Sequence, residues 1–159
     1  MQGQVIFRSP NLGDLEEIVA INRKSLPENY PVGYFIQLIK DWRDFSQVAV
    51  IDGKVYGYAI NRIEKSYLSG IFKSSSSKGH IISIAVLPEG RGQGIGSGMM
   101  YEIIKKMQIE KLGNKIILEV RVSNDPAIQM YKKLGFSIEK TLKNYYRDGE
   151  SAFMMVIDL

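Results

Sequence analysis

The chain has 159 residues, of which 45% are apolar and 24% charged, enough to bury the core of one domain and too apolar for a disordered segment. With no cysteine and one histidine, it excludes a disulfide framework, a thiolate metal site and a cysteine nucleophile, and no metal is expected. The net charge of +4 arises from basic residues scattered among acids, so no specific nucleic acid is expected as a partner. Charged residues break every apolar run short of a membrane span, and the first residues lack the blocks of a signal peptide, so no membrane association and a cytoplasmic location are expected.

Residues 5–8 read as a short strand ended by Ser9 and Pro10. Asn11 then caps a predicted helix over 12–24, whose first turns carry Asp14, Glu16 and Glu17 where the helix dipole favours acids. Pro27 and Pro31 break that helix before a second, over 32–41. Two strands, 48–52 and 54–64, flank Asp52-Gly53, a strong hairpin signal. Residues 65–79 include four consecutive serines, Ser74 to Ser77, and read as a mobile connecting loop. A β-branched strand over 80–87 stops at Pro88, and a glycine-rich turn over 89–94 leads into a long helix over 95–112. A strand over 115–122 precedes a helix opened by Asn124 or Asp125, with Pro126 suited to its first turn and Gly135 at its end. Strands over 136–142 and 151–157 close the chain. The expected fold is one α/β (α+β) domain spanning residues 1–159, with a mixed sheet of about seven strands and about four helices.

The turn Arg91-Gly92-Gln93-Gly94-Ile95-Gly96 carries the most chemical information. Glycines let main chain approach a ligand, and a helix N-terminus offers unbonded N–H groups with partial positive charge, which suits a phosphate. No Lys-Ser/Thr follows the last glycine, so the pattern is not a P-loop, and it does not follow the first strand of a dinucleotide fold. Glu119 lies in an otherwise apolar strand, on the side it shares with Ile117 and Arg121. Two readings of it stand at this level: a surface acid paired with Arg121, or a proton acceptor. His80, at a strand end, reads at this level as a plain hydrogen-bonding residue. Tyr131 lies two helical turns after Asn124 and faces the same way; a core tyrosine would look the same.

The segment from His80 to Val86 followed by Arg91 to Gly96 resembles the acetyl-CoA-binding motif of the GNAT acetyltransferases, and the order of elements matches that fold along the whole chain. Glu119-Val120-Arg121-Val122-Ser123-Asn124, Tyr131 to Phe136, the tail Tyr145 to Ala152 and Leu26 to Tyr30 resemble the branch that includes RimI-like and N-terminal acetyltransferases. The resemblance implies a sheet splayed between its fourth and fifth strands, with the pantetheine arm lying in the opening. Ile84, Ala85 and Val86 would contact that arm. Arg91, Gly92, Gln93, Gly94, Ile95, Gly96 and Ser97 would hold the pyrophosphate, and Asn124 and Tyr131 would also touch the cofactor. Glu119, with His80 acting through water, would be the base, and Tyr131 the acid. Glu28, Tyr30, Tyr145 and Tyr146 would line the path of the acceptor, a protein N-terminus. Family members often carry a second basic residue where Gly92 and Gln93 stand, and an acid where Ser151 stands. The implied activity is acetylation of protein α-amino groups, nascent or ribosomal, near the ribosome. The alternatives are acetylation of lysine or small amines, and a non-catalytic acyl-CoA sensor. Many eukaryotic relatives work with an auxiliary subunit; nothing in this chain points to one.

Overall fold

A computed structural model of the chain describes residues 3–67 and 75–159. Its elements are β1 (Ile6–Arg8), α1 (Leu15–Ser25), α2 (Val32–Trp42), β2 (Gln47–Ile51), β3 (Lys54–Tyr67), β4 (Ser75–Val86), α3 (Ile95–Glu110), β5 (Lys115–Arg121), α4 (Asp125–Leu134), β6 (Ser137–Leu142) and β7 (Ala152–Asp158). The strands form one mixed sheet in the order β1-β2-β3-β4-β5-β7-β6. The pairings β1–β2, β2–β3, β5–β7 and β6–β7 are antiparallel, and β4–β5 is parallel. This is the splayed seven-stranded architecture that the resemblance implies. Among the described residues no helix is long and apolar enough to cross a membrane.

The chain divides into two compact units, Met1–Arg62 with Ile82–Lys106, and Ile63–Ile81 with Met107–Leu159. In the first, Asn11 accepts from Gly13 N–H, and Asp14 receives the Asn11 N–H at 2.8 Å. Asp14 also holds Arg8 through two bonds of 2.7 and 2.8 Å, tying β1 to the start of α1. The predicted helix over 12–24 is a single 3-10 turn at Leu12–Asp14 running into α1. Asp52 and Gly53 both take positive φ, 48° and 80°, the geometry of a two-residue hairpin turn. The core of this unit joins Ile18 and Ile21 of α1, Phe35, Leu38 and Ile39 of α2, and Val48, Tyr58 and Ile60 of the sheet. Phe35 meets the Tyr58 ring edge-on at 5.9 Å.

In the second unit β7 pairs with β5 along its whole length, Lys115 opposite Asp158 through Arg121 opposite Ala152. α4 opens on Asn124, whose side chain accepts from Ala127 N–H at 3.4 Å, and closes on Gly135. The predicted loop over 65–79 is shorter than its serines suggest. Lys65 continues β3 and Ser77 lies within β4, while residues 68–74 lie outside the described residues. The reason is partnership rather than propensity: Gly79 pairs with Ile116, and Ser77 O accepts the Asn114 N–H at 3.2 Å. Strand preference is a property of the neighbours as much as of the residue.

Candidate active site

In the first unit, β4 ends at Val86 and Pro88–Gly90 forms one 3-10 turn. Gly92 and Gly94 follow with φ of +74° and +75°, a left-handed conformation that costs other L-residues about 1–2 kcal/mol. Arg91 Nε donates to Val86 O at 3.2 Å and Gln93 Nε2 to Glu89 O at 3.1 Å, so both long side chains are tied to the turn's own carbonyls. The ladder of α3 begins with Gly98 N–H to Gly94 O at 2.9 Å. The amides of Ile95, Gly96 and Ser97 therefore precede it, and they face the site end with the helix's partial positive charge. Ser97 Oγ donates to Gly94 O. Main-chain N–H groups beside two left-handed glycines suit a pyrophosphate.

Upstream in the same unit, Asn22 is fully buried and its Nδ2 donates to Glu28 O at 3.1 Å and to the Tyr58 hydroxyl at 2.9 Å. That hydroxyl lies 2.8 Å from Ser83 Oγ on β4, and burial pushes the Tyr58 phenol up to about 12. This network fixes the main chain at Glu28 and places the exposed Tyr30 hydroxyl 3.5 Å from Ile82 O. Tyr30 also packs at 5.2 Å from the Tyr34 ring. Ile84 and Val86 are half-buried on β4, with Ala85 buried between them.

In the second unit the parallel ladder between β4 and β5 has two pairs, Gly79 with Ile116 and His80 with Ile117. Beyond them, β5 from Leu118 to Arg121 is paired on its β7 side. His80 stands where that ladder ends. Its Nε2 lies 2.7 Å from Glu119 Oε2, and its Nδ1 lies 3.2 Å from Glu64 Oε2 on β3. The His80 and Glu119 side chains are 16% and 15% exposed, so charge there is screened less than at a free surface. Burial pushes the imidazole down, but the hydrogen bonds and negative charge of Glu119, and then of Glu64, outweigh it and hold His80 above the ordinary value.

Tyr131 is 4% exposed and its ring lies 5.8 Å from Phe136. Burial raises its phenol far above the ordinary range, so it remains protonated. Arg121 donates to Asp148 at 2.8 Å and to Glu150 at 2.9 Å, and its guanidinium lies 4.1 Å from the centre of the Tyr146 ring. Glu150 also receives the Ser123 N–H and hydroxyl. This cluster anchors the loop between β6 and β7. Tyr145 in that loop meets Tyr146 edge-on at 5.0 Å, and its phenol is raised by burial and then by the charge of Glu119.

The structure thus brings Glu119 and His80 into direct contact and sets Tyr145 within reach of the charge of Glu119. It gives Asn124 the work of capping α4, with Tyr131 on the buried face of that helix. Glu64 is the residue that reading the sequence missed. Its signal was an acid at the end of the predicted strand over 54–64, next to the strand of the single histidine, visible once strand order is known.

Residues 15–136 match the Acetyltransferase (GNAT) family, and the chain belongs to that family. It is 42% identical, over 96% of its length and 92% of that protein's, to a protein named N-alpha-acetyltransferase from Sulfurisphaera tokodaii. Among solved structures it resembles Ard1 from Thermoplasma volcanium at 30% identity and a TM-score of 0.82, over 98% of this chain and 97% of that one. It also resembles Arabidopsis thaliana Naa50, solved with the bisubstrate analogue CoA-Ac-MVNAL, at 25% identity and a TM-score of 0.83, over 98% and 99%.

Proposed function

We propose that this protein transfers the acetyl group of acetyl-CoA to the α-amino group of protein N-termini. The observation that carries the reading is the Glu119–His80 contact of 2.7 Å at the end of the β4–β5 ladder, in a family member 42% identical to a named N-alpha-acetyltransferase. The peptide joined to CoA in the Naa50 analogue supports an α-amine as acceptor.

An α-ammonium ordinarily titrates near pH ~8, so it must shed a proton before it can attack. Acetyl-CoA supplies an activated acyl thioester; the chain supplies proton transfer and orientation. Glu119, with His80 beside it and water between them and the amine where needed, takes that proton. Ile84, Ala85 and Val86 hold the acetyl-pantetheine arm, and the Val86 N–H faces the carbonyl oxygen as it gains charge. Arg91 to Ser97 hold the pyrophosphate, and Asn124 contributes to the cofactor's binding. Tyr131, protonated at all working pH values, donates to the sulfur as it leaves. Glu28, Tyr30, Tyr145 and Tyr146 receive the first residues of the acceptor, with tyrosine hydroxyls gripping its backbone. The acceptors are nascent or ribosomal chains met near the ribosome in the cytoplasm.

The test is incubation with acetyl-CoA and peptides with free or blocked N-termini, with and without internal lysine, followed by fragmentation mass spectrometry. Acetyl is expected on free α-amines. Transfer to blocked, lysine-containing peptides would move the assignment to a side-chain acetyltransferase, and cofactor binding with no transfer would make the protein a sensor. Glu119→Gln and Tyr131→Phe are each expected to lower kcat about 100-fold or more while acetyl-CoA binding is retained. Loss of binding instead would reject these roles.

A further inference from the structure

We infer that Glu64 is a positioning residue for this reaction, accepting the Nδ1–H of His80 so that Nε2 is aimed at Glu119 and the two act as one proton relay. The inference rests on the proposed acetyl transfer and deepens it by naming what orients the relay.

The geometry requires a division of labour between the two ring nitrogens. An ionised carboxylate only accepts hydrogen bonds. Both contacts are hydrogen bonds only when two hydrogens are present, one on Nδ1 toward Glu64 Oε2 at 3.2 Å and one between Nε2 and Glu119 Oε2. In the inferred relay Glu64 keeps the Nδ1 hydrogen in place, and the hydrogen between Nε2 and Glu119 Oε2, 2.7 Å apart, is the one gained and lost. Without Glu64 the neutral ring is free to carry its hydrogen on Nε2, where Glu119 would accept it and close the relay to incoming protons. A buried acid beside the far nitrogen of a catalytic histidine enforces tautomer in the same manner in hydrolytic triads.

The proton balance is simple. The acceptor's N–H bond breaks as Glu119 takes the proton, and the proton then passes to the Nε2 lone pair. The resulting imidazolium lies between two carboxylates, Glu64 from β3 and Glu119 from β5, and Tyr145 of the β6–β7 loop is a titratable group near Glu119. Release of the proton to water restores the neutral ring. Glu119 and Glu64 face different ring nitrogens, and both raise the proton affinity of the ring against its burial.

His80 is the single histidine of the chain, so ring ¹⁵N and ¹H resonances report on it without assignment ambiguity. The full-length protein is titrated by NMR as wild type, Glu64→Gln and Glu64→Asp, and kcat/KM for a free-N-terminus peptide is followed over the same pH range. The deprotonated wild-type ring is expected to carry its hydrogen on Nδ1. Glu64→Gln is expected to lower the midpoint of the ring by about one pH unit, to move the acidic limb of kcat/KM by the same amount, and to leave KM for acetyl-CoA unchanged. Glu64→Asp keeps the charge and should recover part of both shifts. A wild-type neutral ring with its hydrogen on Nε2 overturns the inference even if no variant folds. So does a midpoint that Glu64→Gln does not move, or a limb that stays while the midpoint moves. Failure of acetyl transfer itself looks different: no peptide is modified by any of the three proteins, while the ring titrates as expected.

Discussion

A carboxylate that serves two elements is exposed to acid in a calculable direction. Asp14 closes the cap of the 3-10 turn that runs into α1 and holds Arg8 of β1 through two short bonds. The Arg8 hydrogen bonds hold its carboxyl below the usual range, against a burial that pushes it up. Its contribution to stability is therefore complete above the unfolded value of about 3.9, and it is lost as pH falls through the lower, folded value. Asp14→Asn keeps the shape and removes the charge. It is expected to cost about 1–2 kcal/mol at pH 7, toward the lower end because Arg8 is partly exposed, and less at pH 3. Urea denaturation at the two pH values measures the difference; an equal cost at both would show that the charge contributes nothing. At this scale the sequence was readable where a residue acts alone. Asn11 announced the cap by type and position, while the return bond from Asp14 appears only in the structure. Glu64 and the Asn22–Tyr58–Ser83 network were not readable, because their partners are set by which strands become neighbours, and no local pattern carries that.

Elements followed their own chemistry where they were bounded by it and departed where a neighbour decided. α4 begins and ends where Asn124, Pro126 and Gly135 require, and the hairpin turns at Asp52-Gly53. β4 begins at Ser75 and lies between β3 and β5 in the sheet, a setting that a serine run does not reveal. Asn124 carries two readings at once, helix cap and cofactor contact, and substitutions separate them. Asn124→Asp retains an oxygen for Ala127 N–H and places a favourable negative charge at the helix start, so stability should change by less than about 0.5 kcal/mol. Asn124→Ala should lose about 1 kcal/mol. If the side chain also touches the cofactor, Asn124→Asp will weaken acetyl-CoA binding by charge repulsion with the phosphates while the helix stays intact. Unchanged affinity in the aspartate variant, measured by calorimetry, would leave Asn124 as a cap alone.

For the whole molecule, the decisive question is whether cofactor binding is carried by main chain or by charge. The net charge of +4 favours a polyanionic ligand only weakly, and Arg91 stands as the basic side chain of a turn whose neighbours are Gly92 and Gln93. Amides before the α3 ladder and two left-handed glycines are the larger part of the arrangement. A ligand that binds the folded state alone stabilises it by about 2.7 kcal/mol at 100 times its Kd, which for a chain of this size raises Tm by about 5–10 °C. Acetyl-CoA is expected to do this, and pantetheine, which lacks the pyrophosphate, to do much less at the same concentration. Arg91→Ala should weaken acetyl-CoA by about fivefold, the equivalent of about 1 kcal/mol for one exposed charge-assisted contact. Gly94→Ala should weaken it more, because a side chain there must either strain the backbone or displace it. If Arg91→Ala abolishes the thermal shift and Gly94→Ala spares it, the phosphate is held by charge and the role given to the helix amides is wrong. If acetyl-CoA and pantetheine shift Tm equally, the glycine turn does not hold the pyrophosphate at all.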